Sequence, residues 1–321
     1  MPDTPHTAAT PLPAHLAAAA AVPPGRAGAL SAETHGMLLG LAGVAIFSLT
    51  LPFTRMAVAA FEPTFVALGR ALVAALLAGL WLLWKRAPLP SRAALPQLAM
   101  VSLGCVIGFP WLTSIAMRTL PASHGAVLVG VLPLATAMFS ALRGYEKPSL
   151  GFWLMALLGS SLVAGFALFQ SGGSLHLADL AVFGAVLLAA LGYAEGGQLS
   201  KAMGGQQVIS WALLLSVPLV LPVVLWQSWG EWDAMLRAGL HAWAGFAYVS
   251  VFSMFIGFFF WYRGMALGGV ARVGQVQLVQ PFLSIVGAAL VLGETIEFSN
   301  ILFALAVISV VAMGRKMQIR S

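Results

Sequence analysis

Ionisable residues inside apolar runs are the first candidates for chemistry, since a charge within a membrane-length helix is costly and by default marks function. Glu195, in Gly192-Tyr-Ala-Glu195-Gly-Gly, is the sharpest case. It lies about 7–8 Å from one end of its helix at 1.5 Å per residue. An acid there could carry a proton or anchor a substrate amine. Arg263 and Arg272 fall at similar depth in other runs, so a structural Glu195–Arg272 ion pair, or a gate made from it, is the competing reading. Arg70 and Arg55 belong to the opposite side. Each could attract a substrate carboxylate, but Arg70 reads as a structural or gating residue and Arg55 as a topology signal. His124 stands near a helix start, where a proton relay competes with ordinary polar surface.

Uncharged groups supply the rest. Gln275, Gln277 and Gln280 occupy one apolar run, and amides there are expected to face other helices. Gln277 and Gln280 share a face with Pro281 by i,i+3 and i,i+4 spacing, which makes this run the best candidate for substrate contact; interhelical hydrogen bonding is its competitor. Trp111, Trp261 and Tyr262 could wall a cavity and stack on a ligand, although aromatics near helix ends also form interfacial belts. Gly192-x3-Gly196 and Gly264-x3-Gly268 fit close helix packing.

The elements that must position these residues follow from composition. Of 321 residues, 60% are hydrophobic and 8% charged, and mean hydropathy is +0.94. Soluble domains carry about 25% charged residues, so a water-soluble globule is excluded and the fold class is all-α integral membrane. Ten apolar spans are expected, at 37–58, 63–84, 95–117, 121–142, 150–169, 178–200, 207–228, 240–263, 267–291 and 297–314. Residues 1–33, rich in Ala, Pro and Thr, read as a disordered tail without the basic start of a signal peptide, and Met37 is an alternative start. Residues 315–321 read as a basic tail. Of the 16 basic residues, twelve fall on the side of the termini, three (Arg55, Arg118, Arg237) on the other, and Arg70 within a span. That bias places both termini in the cytoplasm of a cell (inner) membrane.

The chain repeats itself. Val131-Leu-Pro133 and Glu146 in span four correspond to Val279-Gln-Pro281 and Glu294 in span nine, and Ala116-Met117 corresponds to Gly264-Met265, all at an offset of 148. Five spans per repeat is odd, so the halves, 37–169 and 178–314, are expected as two inverted five-helix repeats, with Pro133 and Pro281 kinking their helices.

These Pro-to-Glu helices, together with Arg70 in Ala67-Leu-Gly-Arg70-Ala-Leu, resemble the EamA-type branch of the drug/metabolite transporter superfamily. The resemblance implies export or exchange of small metabolites, often amino acids, through a central cavity walled mainly by spans one, three, four, six, eight and nine.

Competing classes find less support. No two acids are adjacent, no HExxH or Gly-Lys-Ser/Thr phosphate loop occurs, and the one cysteine, Cys105, has no metal-ligand cluster around it. An enzyme, a metal or other cofactor, and a nucleic-acid partner are therefore not expected. A secondary transporter of a small molecule in a lipid bilayer, working by alternating access, is the leading reading. A membrane-embedded enzyme or a scaffold is the alternative, and a homodimer is among the assemblies the pattern allows.

Overall fold

A computed structural model describes residues 32–145, 147–170, 176–229, 235–268, 273–316 and 319–320. The chain is overwhelmingly helical. Helices α1 (Ala32–Ser48) and α2 (Thr50–Val58) form the first apolar segment, and α3 (Pro63–Lys85) the second. The third runs through α4 (Leu95–Val101), a π-helical stretch Ser102–Gly108 and α5 (Phe109–Ala116). Helices α6 (Ala122–Val129) and α7 (Leu132–Leu142) form the fourth, and α8 (Leu150–Gln170) the fifth.

The second half repeats this order. It contains α9 (Leu177–Met203), α10 (Gly205–Ser228), then α11 (Leu240–Ala247), a π-helical stretch Tyr248–Ile256 and α12 (Gly257–Gly268). A 3-10 turn, Gly274–Val279, leads into α13 (Gln280–Leu292), and α14 (Phe298–Lys316) follows. A two-residue antiparallel ladder pairs Lys147 with Arg320 and Pro148 with Ile319, which puts the α7–α8 connection beside the C-terminal segment. The basic segment expected at 315–321 is thus partly the end of α14.

Seven helices among the described residues are long and apolar enough to cross a membrane: Thr34–Val58, Pro63–Lys85, Arg92–Ala116, Ala122–Leu142, Leu177–Met203, Gly205–Ser228 and Leu240–Gly268. The fifth, ninth and tenth expected spans contain shorter apolar stretches, Trp153–Val163, Val276–Leu292 and Phe298–Val310. In the ninth, the residues before Gln280 take a 3-10 conformation. The residues of the expected tail up to Ser31 lie outside the described ones.

Local chemistry sets the helix ends. Glu62 caps α3, its Oε2 accepting from the backbone N–H of Thr64 at 2.6 Å and Phe65 at 3.2 Å, with Pro63 in the first turn where its missing N–H costs nothing. His176 and Asp179 form a capping box at the start of α9. Pro133 and Pro281 each sit at the second residue of a new helix, so both apolar runs break there.

The two π-helical stretches obey the same offset. Adding 148 to 102–108 gives 250–256, inside Tyr248–Ile256. Nothing in hydropathy predicts them; π-bulges are rare and occur mostly at functional sites.

Packing relies on glycine. Gly36 and Gly40 of α1 face Gly264 of α12 so closely that a Cβ on Gly264 would stand 2.8 Å from both Gly36 O and Gly40 N. In the third segment, a Cβ on Gly104 would stand 2.2 Å from Leu188 O of α9. Segment one thus packs on segment eight and segment three on segment six. These two contacts correspond to one another under the repeat. The outer surface carries Leu76, Leu80, Leu83, Leu157, Leu219 and Leu290, all exposed, with exposed Trp84, Trp226 and Trp229 at helix ends. That is the surface of a protein bathed in lipid.

Candidate functional site

A small cavity lies where the segments meet. Its walls are Phe47 of α1, Thr50 of α2, Arg70 of α3, Cys105, Phe109 of α5, Leu132 of α7, Ala189 and Tyr193 of α9, Ser253, Phe258 of α12 and Gln280 of α13. Two pairs of these residues, Cys105 with Ser253 and Leu132 with Gln280, are 148 apart. Both members of each pair face the same space, as expected for a cavity between the two halves of a duplicated bundle. Cys105 and Ser253 come from the π-helical stretches, and Leu132 and Gln280 immediately precede the breaking prolines. Each irregularity of the backbone therefore delivers a side chain to the cavity. About 20 Å³ is open to the centre of a water molecule, room for roughly one water.

Arg70 dominates its chemistry. The residue is 2% exposed. Its Nη2 donates to Ser253 Oγ at 2.9 Å, and Ser253 Oγ lies 2.8 Å from Thr50 Oγ1. Nε and Nη1 have no partner among the described residues. A guanidinium stays charged in proteins, and no carboxylate lines this cavity. Phe47, Phe109, Tyr193 and Phe258 provide aromatic surface opposite it.

Glu195 is fully buried at the opposite extreme of satisfaction. Its Oε1 accepts a short bond from Arg143 Nε, and its Oε2 accepts from Tyr145 OH at 3.0 Å and Gln97 Nε2 at 3.2 Å. Gln97 Nε2 also reaches Tyr145 OH at 3.1 Å. The expected partner, Arg272, lies outside the described residues. Among the described residues Arg143 holds the carboxylate, because α7 packs along α9 and ends beside it. The hydrogen bond to Glu195 and the carboxylate's charge raise the Arg143 pKa.

A second polar cluster closes the other end of α6–α7. Glu294 Oε1 accepts from Ala122 N at 2.8 Å, and its Oε2 accepts from Ser123 N at 3.0 Å and Ser123 Oγ at 2.8 Å. A carboxylate from beyond α13 thus caps the N-terminus of α6, where the helix dipole favours negative charge. Arg55 Nε stands 3.5 Å from the same carboxylate, and Arg55 Nη1 donates to Leu120 O. Nearby, His124 Nε2 is 2.7 Å from Asp179 Oδ1, both side chains being buried, so His124 is a contact between α6 and α9 and not polar surface.

The remaining expected site residues divide. Gln280 reaches the cavity. Gln277 is buried with Nε2 unpartnered among the described residues, and it is not in the cavity wall. The side chain of Gln275 lies outside the described ones. Trp261 and Tyr262 stand one layer behind the wall. Trp261 packs on Phe47 and Tyr193, while Tyr262 OH donates to Gly192 O at 3.1 Å and lies 3.7 Å from Cys105 Sγ. Trp111 points away, 42% exposed, its Nε1 donating to Thr64 Oγ1 at 3.2 Å. Cys105, Ser253, Thr50 and Glu294 were not singled out by type. Among them only Glu294 carried a signal, through the 148 offset. Among the described residues no group of three metal-ligating side chains occurs.

Residues 34–168 and 176–314 each match the EamA-like transporter family. The chain belongs to the EamA-like transporter family. This membrane transporter carries the family's unit twice, in the two stretches related by the 148 offset. It is 46% identical over 287 residues to a protein of Bacillus subtilis (strain 168) named uncharacterized transporter YdeK, covering 89% of this chain and 99% of that one. A solved crystal structure superposes with a TM-score of 0.60 at 15% identity, covering 88% of this chain and 98% of the other, which supports the fold.

Proposed function

We propose that this multi-pass transporter is a secondary carrier of ten spans in two inverted five-helix repeats, with both termini cytoplasmic, that exports amino acids or related small metabolites. The observation that carries the reading is the small cavity between the repeats, with a polar clasp at each end of span four (α6–α7). Glu294 and Arg55 form the clasp on the periplasmic side, and Glu195 with Arg143, Tyr145 and Gln97 the clasp on the cytoplasmic side. A cavity with room for about one water holds no metabolite until a clasp opens. Breaking one while the other holds gives alternating access. The breaks at Pro133 and Pro281 and the two π-helical stretches supply the flexible points. Amino acids and the outward direction follow from the family resemblance.

Coupling, in this reading, runs through Glu195, whose carboxylate is freed for a proton when the cytoplasmic clasp parts. In proteoliposomes, Glu195→Gln then abolishes pH-dependent flux at normal protein levels, and unchanged pH dependence removes Glu195 from that role. The transport reading itself is tested by comparing small metabolites inside and outside cells that overexpress the wild type, the Gln280→Ala variant or neither. A compound exported by the wild type alone supports it, whereas identical profiles with abundant membrane protein count against export of a common metabolite.

A further inference from the structure

We infer that the cavity takes a small organic monocarboxylate, read through its anionic end by Arg70, and that it rejects molecules whose only charge is positive. The inference rests on the transport reading of the same cavity. Arg70 is buried, its Nη2 is spent on Ser253, and its Nε and Nη1, three N–H donors in all, face no acceptor among the described residues. An uncompensated charge in a low-dielectric interior is expensive, and no carboxylate in the cavity wall supplies the missing counter-charge. A ligand that brings one completes the site. Planar guanidinium and planar carboxylate match donor for acceptor.

Charge balance narrows the class. One guanidinium neutralises one negative charge, and the wall holds no second Lys or Arg, so a phosphate dianion would leave a charge unpaired. The rest of the ligand meets Phe47, Tyr193 and Phe258, which suits an apolar or aromatic body. A free amino group, where present, finds Gln280, Tyr193, the hydroxyls of Thr50 and Ser253 and ring faces, all neutral and weaker partners than Arg70 is for the carboxylate.

Cys105 is the protein's one cysteine and lies in the wall of this cavity, so it reports on what enters. The test uses purified full-length protein and two thiol reagents of similar size, sulfonatoethyl methanethiosulfonate (anionic) and trimethylammonioethyl methanethiosulfonate (cationic). Each rate at Cys105 is divided by the rate of the same reagent with a small uncharged thiol in the same uncharged detergent. The anionic reagent is expected to be favoured over the cationic one by at least about tenfold. Arg70→Gln brings that ratio to about one, and Arg70→Lys, which keeps the charge, retains most of it.

A ratio unchanged by Arg70→Gln overturns the inference. So does a Cys105 that neither reagent reaches in the native protein, since the cavity then admits no anion. With uncharged methyl methanethiosulfonate, phenylacetate slows labelling, whereas phosphate and phenethylamine at the same concentration do not. Equal protection by phosphate rejects the monocarboxylate, and protection by phenethylamine rejects the anion site altogether. If no metabolite is ever seen to cross the membrane, the carrier reading fails while the labelling ratio still decides the charge preference.

Discussion

Arg70 and Glu195 are both buried charges in a protein surrounded by lipid, yet their surroundings are opposite in kind. Glu195 receives three donors, from Arg143, Tyr145 and Gln97, so both its oxygens are occupied. Arg70, in the cavity wall, meets a single hydroxyl and leaves Nε and Nη1 without a partner among the described residues. A charge satisfied by its own protein holds structure together in the state where it is satisfied. A charge left unsatisfied raises the energy of the fold without helping it, and so it points to a ligand.

The largest expected effect of breaking this contrast comes at Arg70. Arg70→Gln removes at least one hydrogen bond to a charged ligand group, worth about 1.5–3 kcal/mol, and so lowers flux in proteoliposomes by at least roughly 10–150-fold. The same variant melts at or above the wild-type temperature, because a costly charge has gone. Loss of flux together with loss of folded protein would instead make Arg70 structural.

Glu195 sharpens the contrast from the other side. Arg143→Ala strands a fully buried carboxylate on two neutral donors, whereas Glu195→Gln strands only the half-exposed Arg143. Arg143→Ala therefore lowers the melting temperature more than Glu195→Gln does. The reverse order would show that the clasp's worth lies in solvating the arginine.

The other clasp should matter less for stability and more for bias. Glu294→Gln weakens the cap on α6 by about 1 kcal/mol and releases Arg55. In spheroplasts, a membrane-impermeant thiol reagent added from the periplasmic side then labels Cys105 faster than in the wild type. Labelling that stays unchanged would separate Glu294 from gating. Smallest of all is Trp111→Phe, predicted to leave flux within about twofold, since exposed surface changes are usually worth under 0.5 kcal/mol.

How far the sequence revealed this follows the same physics. Hydropathy and the 148 offset gave the helical bundle and its duplication, because burial in lipid leaves a long uninterrupted apolar signature. Glu195 stood out since an acid inside such a run is rare. Its partner Arg143 did not, because spacing along a chain says nothing about which neighbouring helix turns a side chain toward it. The aromatics misled for a related reason. Trp111, Trp261 and Tyr262 have the composition of a cavity wall, but only helix rotation assigns wall, second layer or surface. Cys105 stood out only as the lone cysteine and Ser253 not at all; both are placed by π-helical turns that leave no trace in hydropathy. Glu294 was visible as a repeated glutamate, while its capping of α6 across the bundle required the structure.

The central claim is that the unsatisfied guanidinium of Arg70 marks the ligand site. Ligand binding to the folded state raises the melting temperature by mass action. The most direct measurement is therefore the thermal shift of purified wild type and Arg70→Gln with phenylacetate and with phenethylamine. The account predicts that phenylacetate raises the wild-type melting temperature, that phenethylamine does not, and that the variant responds to neither. An equal shift of both proteins by phenylacetate, or a shift of the wild type by phenethylamine alone, would contradict it.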